Sequence, residues 1–178
     1  MILDISTILS SENGEEEKEV HIDMESFASK MGVFPVLKSK PFTLRLSNVE
    51  NRQLLIHGET DVTVAIPCDR CLTEVPVKLC LVIDKTVPIE RKGPGEEASG
   101  DDPQQREYLE GCRLDVERLI YGEMLVAWPM KVLCKEDCKG ICEKCGTNLN
   151  QTDCGCDRWV PDPRMAAFQD VFNKFKEV

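Results

Sequence analysis

Apolar and polar residues alternate with a period of two through much of residues 34–87, a pattern typical of strands that bury one face. The clearest stretches are residues 42–46, 54–56, 61–66 and 75–87. A polar turn at residues 50–52 and Gly58 separate the first three of them. Because these stretches follow one another through short connections, the pattern predicts an antiparallel β-meander.

The amino-terminal residues give a less regular pattern. Residues 1–10 carry apolar side chains that fit either a short helix or an edge strand, and the pattern does not decide between them. Residues 10–18 contain Asn13-Gly14 and a run of glutamates, which predicts a loop. Apolar residues alternate again in residues 20–24, where we expect a strand.

Two stretches have the spacing of amphipathic helices. In one, Asp115 can cap a helix that ends at Trp128-Pro129. In the other, Asp162-Pro163 opens a helix that packs on its own domain or, alternatively, docks on a partner. The apolar positions are Val116, Leu119, Ile120, Met124 and Ala127 in the first helix, and Met165, Phe168, Val171, Phe172 and Phe175 in the second.

These elements together predict an α+β fold, in which an antiparallel β-meander sheet carries a few packing helices and a C-terminal cysteine-rich, zinc-ribbon-like subregion. We expect residues 1–90 to form the mainly β core. Residues 91–112 form an acidic linker or loop, since residues 91–106 hold three glycines, two prolines and one apolar residue. Residues 113–178 would then supply the first helix, the metal-binding segment and a C-terminal helix that packs on the core.

Composition and charge narrow the class of partner. The chain has 178 residues, 42% of them hydrophobic, which is enough for a real core, and its net charge is −10. Such a charge argues against binding bare nucleic acid by charge alone, because phosphate contacts need clustered cations. Residues 26–49 nevertheless contain no acid. Their cations are either a possible RNA contact or a solvated strand edge that discourages edge pairing; they are Lys30, Lys38, Lys40 and Arg45.

The sequence has no basic leader and no apolar run long enough to span a bilayer, so we expect a cytoplasmic protein without a membrane partner. In that reducing compartment, closely spaced cysteines indicate metal ligands or redox thiols rather than a disulfide framework.

Six of the ten cysteines lie in residues 134–156. Apart from the cysteines, only Ile141 and Leu149 are apolar in this segment, so it cannot form a core of its own. Clustered thiols in short turns are typical of a tetrahedral metal site, and the sequence predicts structural zinc, with one or two ions.

Spacing suggests how the cysteines divide. The pair Cys142 and Cys145, followed by Gly146, has the form of a zinc-ribbon knuckle. The first predicted site consists of Cys142, Cys145, Cys154 and Cys156. The possible second site consists of the remaining clustered cysteines, Cys68, Cys71, Cys134 and Cys138. Other partitions of these eight residues stay open at this point.

Other chemistries have weaker support. Four cysteines can also hold an iron–sulfur cluster, and Arg70 between Cys68 and Cys71 would favour a redox-active thiolate. We interpret Cys80 and Cys112 as incidental thiols, and the two histidines, His21 and His57, as structural. The sequence has no phosphate-binding loop, nucleophile elbow or paired catalytic carboxylates, so we expect neither an enzyme nor a small-molecule substrate.

Four motifs follow one another along the chain: CDRCL at residues 68–72, the helix LDVERLIYGEMLVAWPMKVLC, the block CKGICEKCGTNLN and finally DPRMAAF. In this order they resemble the YceD family, the bacterial and plastid large ribosomal RNA subunit accumulation proteins. The resemblance covers about residues 1–175. It places Cys68 and Cys71 at the turn pair that recurs across the family, and the six later cysteines in a block that some members lack.

The resemblance implies a non-enzymatic factor for accumulation of the large-subunit ribosomal RNA, with that RNA, a ribosomal protein or an assembly intermediate as partner. The acidic charge favours an adaptor or chaperone that meets a basic ribosomal protein. An RNA-binding module that uses the four cations of residues 26–49 is the competing mechanism. A zinc-ribbon nucleic-acid-binding or transcription regulator is the alternative function, because the same ligands would permit it.

Overall fold

The computed structural model describes residues 1–89 and 108–156. The chain forms two compact units: the first comprises Met1–Pro67 and Glu74–Val132, and the second comprises Cys68–Thr73 and Leu133–Val178. The predicted linker over residues 91–106 and the predicted helix that opens at Asp162 lie outside the described residues.

The first unit is mostly antiparallel β-sheet, as predicted, with two helices among its described residues. The helices are α1 (Ser6–Ser10) and α2 (Val116–Val126). The strands are β1 (Ile2–Asp4), β2 (Glu15–Val20), β3 (Ser26–Ser29), β4 (Gly32–Ser39), β5 (Phe42–Val49), β6 (Gln53–Pro67), β7 (Glu74–Pro88), β8 (Leu109–Glu110) and β9 (Arg113–Asp115).

Strand β6 is the centre of the larger sheet. It pairs along its whole length with β7, from Gln53 opposite Pro88 to Pro67 opposite Glu74. Its other edge is shared, because β5 pairs with the first part of β6 and β4 with the part near Val64. Strands β5, β6 and β7 therefore form the predicted meander, whereas β4 pairs with β6 and not with β5. Strands β2 and β3 lie at the ends of the sheet order, and β1, β9 and β8 form a second, three-stranded sheet.

Gly58 does not separate two strands, contrary to the prediction, because β6 is continuous through it. A Cβ at Gly58 would come 3.1 Å from Leu44 Cδ1 and 3.2 Å from the Thr43 carbonyl oxygen. The glycine is thus a place where β5 approaches β6 closely, rather than a break in the strand.

The loop predicted at residues 10–18 is confirmed for residues 11–14, which form the turn between α1 and β2, and was wrong for residues 15–18, which belong to strand β2. Glu15, Glu17 and Glu19 are exposed on one face of an edge strand that pairs with β5. The Arg45 guanidinium lies 2.6 Å from a Glu17 carboxylate oxygen. The other face of β2 also carries polar residues, Glu16 and Lys18, which are half-buried and form an ion pair at 3.3 Å. The strand therefore lacks the apolar alternation by which the other strands were predicted. The strand predicted at residues 20–24 was also wrong, because only Val20, the last residue of β2, lies in a strand.

Residues 1–10, for which the sequence allowed either a short helix or an edge strand, form both: strand β1 is followed by helix α1.

The prediction for α2 is confirmed. The Asp115 carboxylate accepts hydrogen bonds from the backbone N–H groups of Glu117 and Arg118, at 3.1 and 3.3 Å, and so caps the helix. The buried side of α2 includes Leu119, Ile120 and Met124, each 1% exposed or less.

Aromatic packing fixes the β3–β4 hairpin within the first unit. The Phe27 ring lies 5.0 Å from the Tyr121 ring and 5.1 Å from the Trp128 ring, and the Phe34 ring lies 4.8 Å from the Trp128 ring. The buried Glu123 carboxylate is neutralised by Lys85 Nζ at 2.7 Å. Among the residues that the structure describes, the hydrophobic core of the first unit contains no cysteine.

No helix in the described parts of the chain is long and apolar enough to cross a membrane.

Candidate metal centre

The turn between β6 and β7 is a compact knuckle, which we call the first knuckle (Cys68–Thr73). The Cys68 N–H donates to the Thr73 carbonyl at 2.8 Å, and the Leu72 N–H donates back to the Cys68 carbonyl at 2.9 Å. Both thiols, Cys68 and Cys71, are buried. The predicted position of this C-x2-C pair, in a tight turn between two strands, is confirmed.

Residues 142–147, the second knuckle, repeat this geometry. The Cys142 N–H donates to the Thr147 carbonyl at 2.9 Å, and the Gly146 N–H donates to the Cys142 carbonyl at 2.8 Å. In each knuckle the second cysteine sulfur also lies close to the threonine hydroxyl, at 3.3 Å for Cys71 and 3.2 Å for Cys145. Sequence reasoning missed this internal repeat, although its signal, C-x2-C-x-T, is present in both segments.

Each knuckle brings its two thiols to a second pair of cysteines, so the second unit contains two groups of four. The first group is Cys68, Cys71, Cys134 and Cys138, and the second group is Cys142, Cys145, Cys154 and Cys156. Within each group all the sulfur atoms lie within 4.8 Å of one another. The structure thus brings together the two sets that the spacing suggested, and either group could hold a metal ion.

The sulfur separations fit a single tetrahedral ion. Zinc–sulfur bonds of about 2.3 Å place two sulfurs of a tetrahedron about 3.8 Å apart. In the first group, Cys71 Sγ lies 3.5 Å from Cys134 Sγ, and Cys68 Sγ lies 3.9 Å from Cys138 Sγ. All of these cysteines are free thiols, and the sulfurs are much farther apart than the roughly 2.05 Å of a disulfide.

Hydrogen bonds to one cysteine in each knuckle favour its ionised, thiolate form. Burial alone raises the pKa of Cys68, but the N–H groups of Arg70, Cys134 and Cys71 outweigh it and lower that pKa to about 6. In the second knuckle, the Thr147 hydroxyl and N–H lower the pKa of Cys145 to about 6. Each knuckle therefore holds a cysteine whose ionised form is already stabilised before any cation arrives.

The opposite shift affects one cysteine outside each knuckle. Sharing its proton with Cys71 raises the pKa of Cys134 to about 12, and Cys145 and Cys154 do the same to Cys156. Four thiols in one place cannot all ionise, because each thiolate makes the next one costlier. A divalent cation at the centre of the group would remove that penalty.

Two asparagines support the first group, and sequence reasoning missed them. Asn150 Nδ2 donates to Cys138 Sγ at 3.2 Å, while Asn150 Oδ1 accepts from the Lys139 N–H at 2.9 Å. Asn148 Nδ2 donates to the Thr73 hydroxyl at 3.2 Å. Such outer partners fix the orientation of the ligands. The signal lay in NLN at residues 148–150, beside the second knuckle, but a pattern of amides alone does not identify their targets.

Hydrogen bonds within the second unit also join the first knuckle to residues 138–141, which lead into the second knuckle. The Ile141 N–H donates to the Arg70 carbonyl at 3.1 Å, and the Arg70 guanidinium donates to the Cys138 carbonyl at 2.9 Å. The second group is the more open one. Cys142 is buried, whereas Cys145 is exposed and both Cys154 and Cys156 are partly exposed.

The other predicted residues lie apart from these groups. Cys80 and Cys112 are exposed free thiols, and neither belongs to a group of potential metal ligands in the described ranges, 1–89 and 108–156. His21 and His57 are exposed, and neither histidine belongs to such a group there. The chemistry of the site therefore rests on sulfur alone.

The candidate RNA contacts are spread over the sheet. Arg45 lies opposite His57 and Lys38 lies opposite Thr63 on β6, so six residues of strand, or about 20 Å, separate them. Arg45 is paired with Glu17, and Lys40 Nζ lies 3.8 Å from an Asp61 carboxylate oxygen. Lys30 lies at the turn between β3 and β4.

We expect substitution of one ligand to remove one ion. Cys68→Ala should lower the metal content of the purified chain from two ions to one, because three thiols bind far more weakly than four. Elemental analysis by inductively coupled plasma mass spectrometry measures this directly. Cys80→Ser, which changes an exposed thiol outside both groups, should keep two ions; an unchanged metal content in Cys68→Ala would contradict the assignment.

We expect Thr147→Val to weaken metal binding at the second group. The Thr147 hydroxyl helps to lower the pKa of Cys145 to about 6, so its loss raises that pKa and leaves more thiol protonated. Protons then compete better with the metal, and the affinity should fall about tenfold at neutral pH. The deficit should be larger at pH 6 than at pH 8, as measured by competition with a chromophoric chelator. A deficit of equal size at both pH values, relative to the wild type, would show that the hydroxyl has no such role.

Comparison with protein families gives one match. The family model described as large ribosomal RNA subunit accumulation protein YceD matches residues 56–172, which is more than half of the chain. Comparisons with curated proteins and with solved structures gave no match. The matched range contains both knuckles and both groups of four cysteines, and the resemblance expected from the motifs is confirmed. The chain belongs to the YceD family of large ribosomal RNA subunit accumulation proteins.

Proposed function

We propose that this chain is a non-enzymatic factor for accumulation of the large-subunit ribosomal RNA, and that it acts as a protein adaptor whose second unit is built on two structural zinc ions. The family match supports involvement in large-subunit biogenesis. The observation that carries the adaptor role is the charge of the chain, −10 overall, with a row of exposed carboxylates along β2.

Zinc accounts for the cysteine groups better than an iron–sulfur cluster does. A cluster distributes its cysteine ligands over several irons, which requires sulfurs farther apart than the ligands of a single ion. The 3.5 and 3.9 Å separations in the first group favour one ion. Four thiolates in short, polar turns are the ligand set typical of structural zinc, and we propose a zinc-ribbon-like arrangement for this segment.

The proposed role of zinc is structural. Four sulfur ligands leave no coordination position for a water molecule or a substrate, so the ion would not act as a Lewis acid. The binding free energy would instead stabilise residues 134–156, on the order of 10 kcal/mol for a structural zinc ion. We therefore propose no enzymatic activity for this centre.

Electrostatics favours a basic protein over RNA as the direct partner. Glu15, Glu17 and Glu19 lie on the exposed face of an edge strand. Each zinc ion bound by four thiolates would add a net charge of −2 to the chain. A basic ribosomal protein complements such a surface, whereas RNA phosphates are repelled by it. The separation of Arg45 from Lys38 supports the same choice.

A pull-down from gently lysed cells tests the adaptor role, with RNase-treated and untreated arms. We expect the tagged chain to retain large-subunit ribosomal proteins after RNase treatment. Neutralising Glu15, Glu17 and Glu19 together by Glu→Gln should reduce that retention, because these carboxylates form the acidic row. The matched control, Lys→Gln at Lys30, Lys38 and Lys40, should leave it intact.

The opposite pattern would contradict the adaptor role. Loss of every partner after RNase, together with sensitivity to the lysine substitutions, would favour an RNA-binding module. Depletion of the protein tests a third function, that of a transcription regulator. Changed messenger RNA levels with normal levels of large-subunit precursors would indicate that function.

A further inference from the structure

The two knuckles can be compared position by position, and they differ at the residue after the second cysteine. That residue is Leu72 in the first knuckle and Gly146 in the second. Both have a positive φ, 59° for Leu72 and 73° for Gly146, because the knuckle turn requires a left-handed residue there. Glycine adopts this conformation without steric cost, whereas a leucine side chain is strained in it.

Leu72 is unusual among the described residues. The other non-glycine residues with positive φ are Asn13, Glu50 and Asn51, which are polar. The side chain of Leu72 is 64% exposed, so burial in a core does not offset the backbone strain. An exposed leucine alone is ordinary. Leu72 combines an exposed apolar side chain with a left-handed backbone conformation for which the second knuckle uses glycine. Positions that are unfavourable in two ways at once tend to have a function.

We propose that Leu72 is a partner-contact residue, the apolar anchor through which the second unit binds a basic segment of a large-subunit ribosomal protein. This inference rests on the adaptor role proposed above and adds a contact residue in the second unit to the acidic row on β2. Contact with the partner would bury the side chain and so compensate for keeping a leucine where the turn favours glycine.

The charge of the second unit indicates what kind of partner would contact Leu72. The described part of the second unit has five carboxylates against four Lys and Arg side chains. With two zinc ions each bound by four thiolates, its net charge becomes clearly negative. With that charge, the second unit would suit a polypeptide that carries an apolar side chain among lysines and arginines, and it would repel a phosphate backbone.

The test uses the zinc-loaded full chain, immobilised, and large-subunit ribosomal proteins freed of RNA as the probe. Leu72→Gly should reduce the apparent affinity tenfold or more. Its metal content should equal that of the wild type and its melting temperature should be unchanged or raised, since glycine suits the turn. Leu72→Met keeps an apolar side chain of similar volume and should bind within twofold of the wild type. Val33→Thr, at a side chain 69% exposed on β4, is the matched surface control and should also bind normally.

Three results separate the possible failures. If Leu72→Gly binds within twofold of the wild type, the anchor is wrong while the adaptor role stands. If Leu72→Gly loses metal or melts at a lower temperature, Leu72 is a structural residue and the proposal is overturned. If the wild-type chain binds naked large-subunit RNA but none of the proteins, the proposed function itself fails.

Discussion

Each group of four thiols in the second unit holds its sulfur atoms within 4.8 Å of one another, where ionised thiolates repel one another unless a cation lies between them. The ordering of residues 134–156 depends on how this repulsion is resolved. The segment has almost no apolar side chains, so burial cannot hold it. In the first group, Cys71 and Cys134 are 63 residues apart in sequence, and a shared ion would therefore close a long loop.

The two halves of each group are built differently. The knuckle half is organised by its own paired backbone hydrogen bonds. The N–H groups of Arg70, Cys134 and Cys71 outweigh burial and lower the pKa of Cys68 to about 6, and Thr147 lowers that of Cys145 to about 6. The other half lacks the C-x2-C spacing and includes Cys134 and Cys156, whose pKa values are raised to about 12. A preorganised pair that attracts a cation and a second pair that completes the site is consistent with metal-coupled folding.

Sequence reasoning succeeded where one physical effect dominated. The strands that bury one face, the helix capped by Asp115 and the grouping of eight cysteines all follow from periodicity or spacing. It failed where tertiary pairing decided the outcome: β2 is an edge strand whose exposed face is glutamate, and Gly58 lies inside β6 because β5 approaches it there. The similarity of the two knuckles was missed because the residue after the second cysteine is Leu72 in the first knuckle and Gly146 in the second, which hides the repeat in the sequence. The contacts of Asn148 and Asn150 depend on the folded geometry.

Hydrogen exchange with and without a strong chelator tests the central claim most directly. We expect removal of the metal to abolish the protection of backbone amides in residues 134–156, because the segment has too few apolar side chains to keep its hydrogen-bonded turns without an ion. Protection in α2 should persist, because its apolar side is buried in the core of the first unit. Undiminished protection of residues 134–156 after complete metal removal would contradict the account.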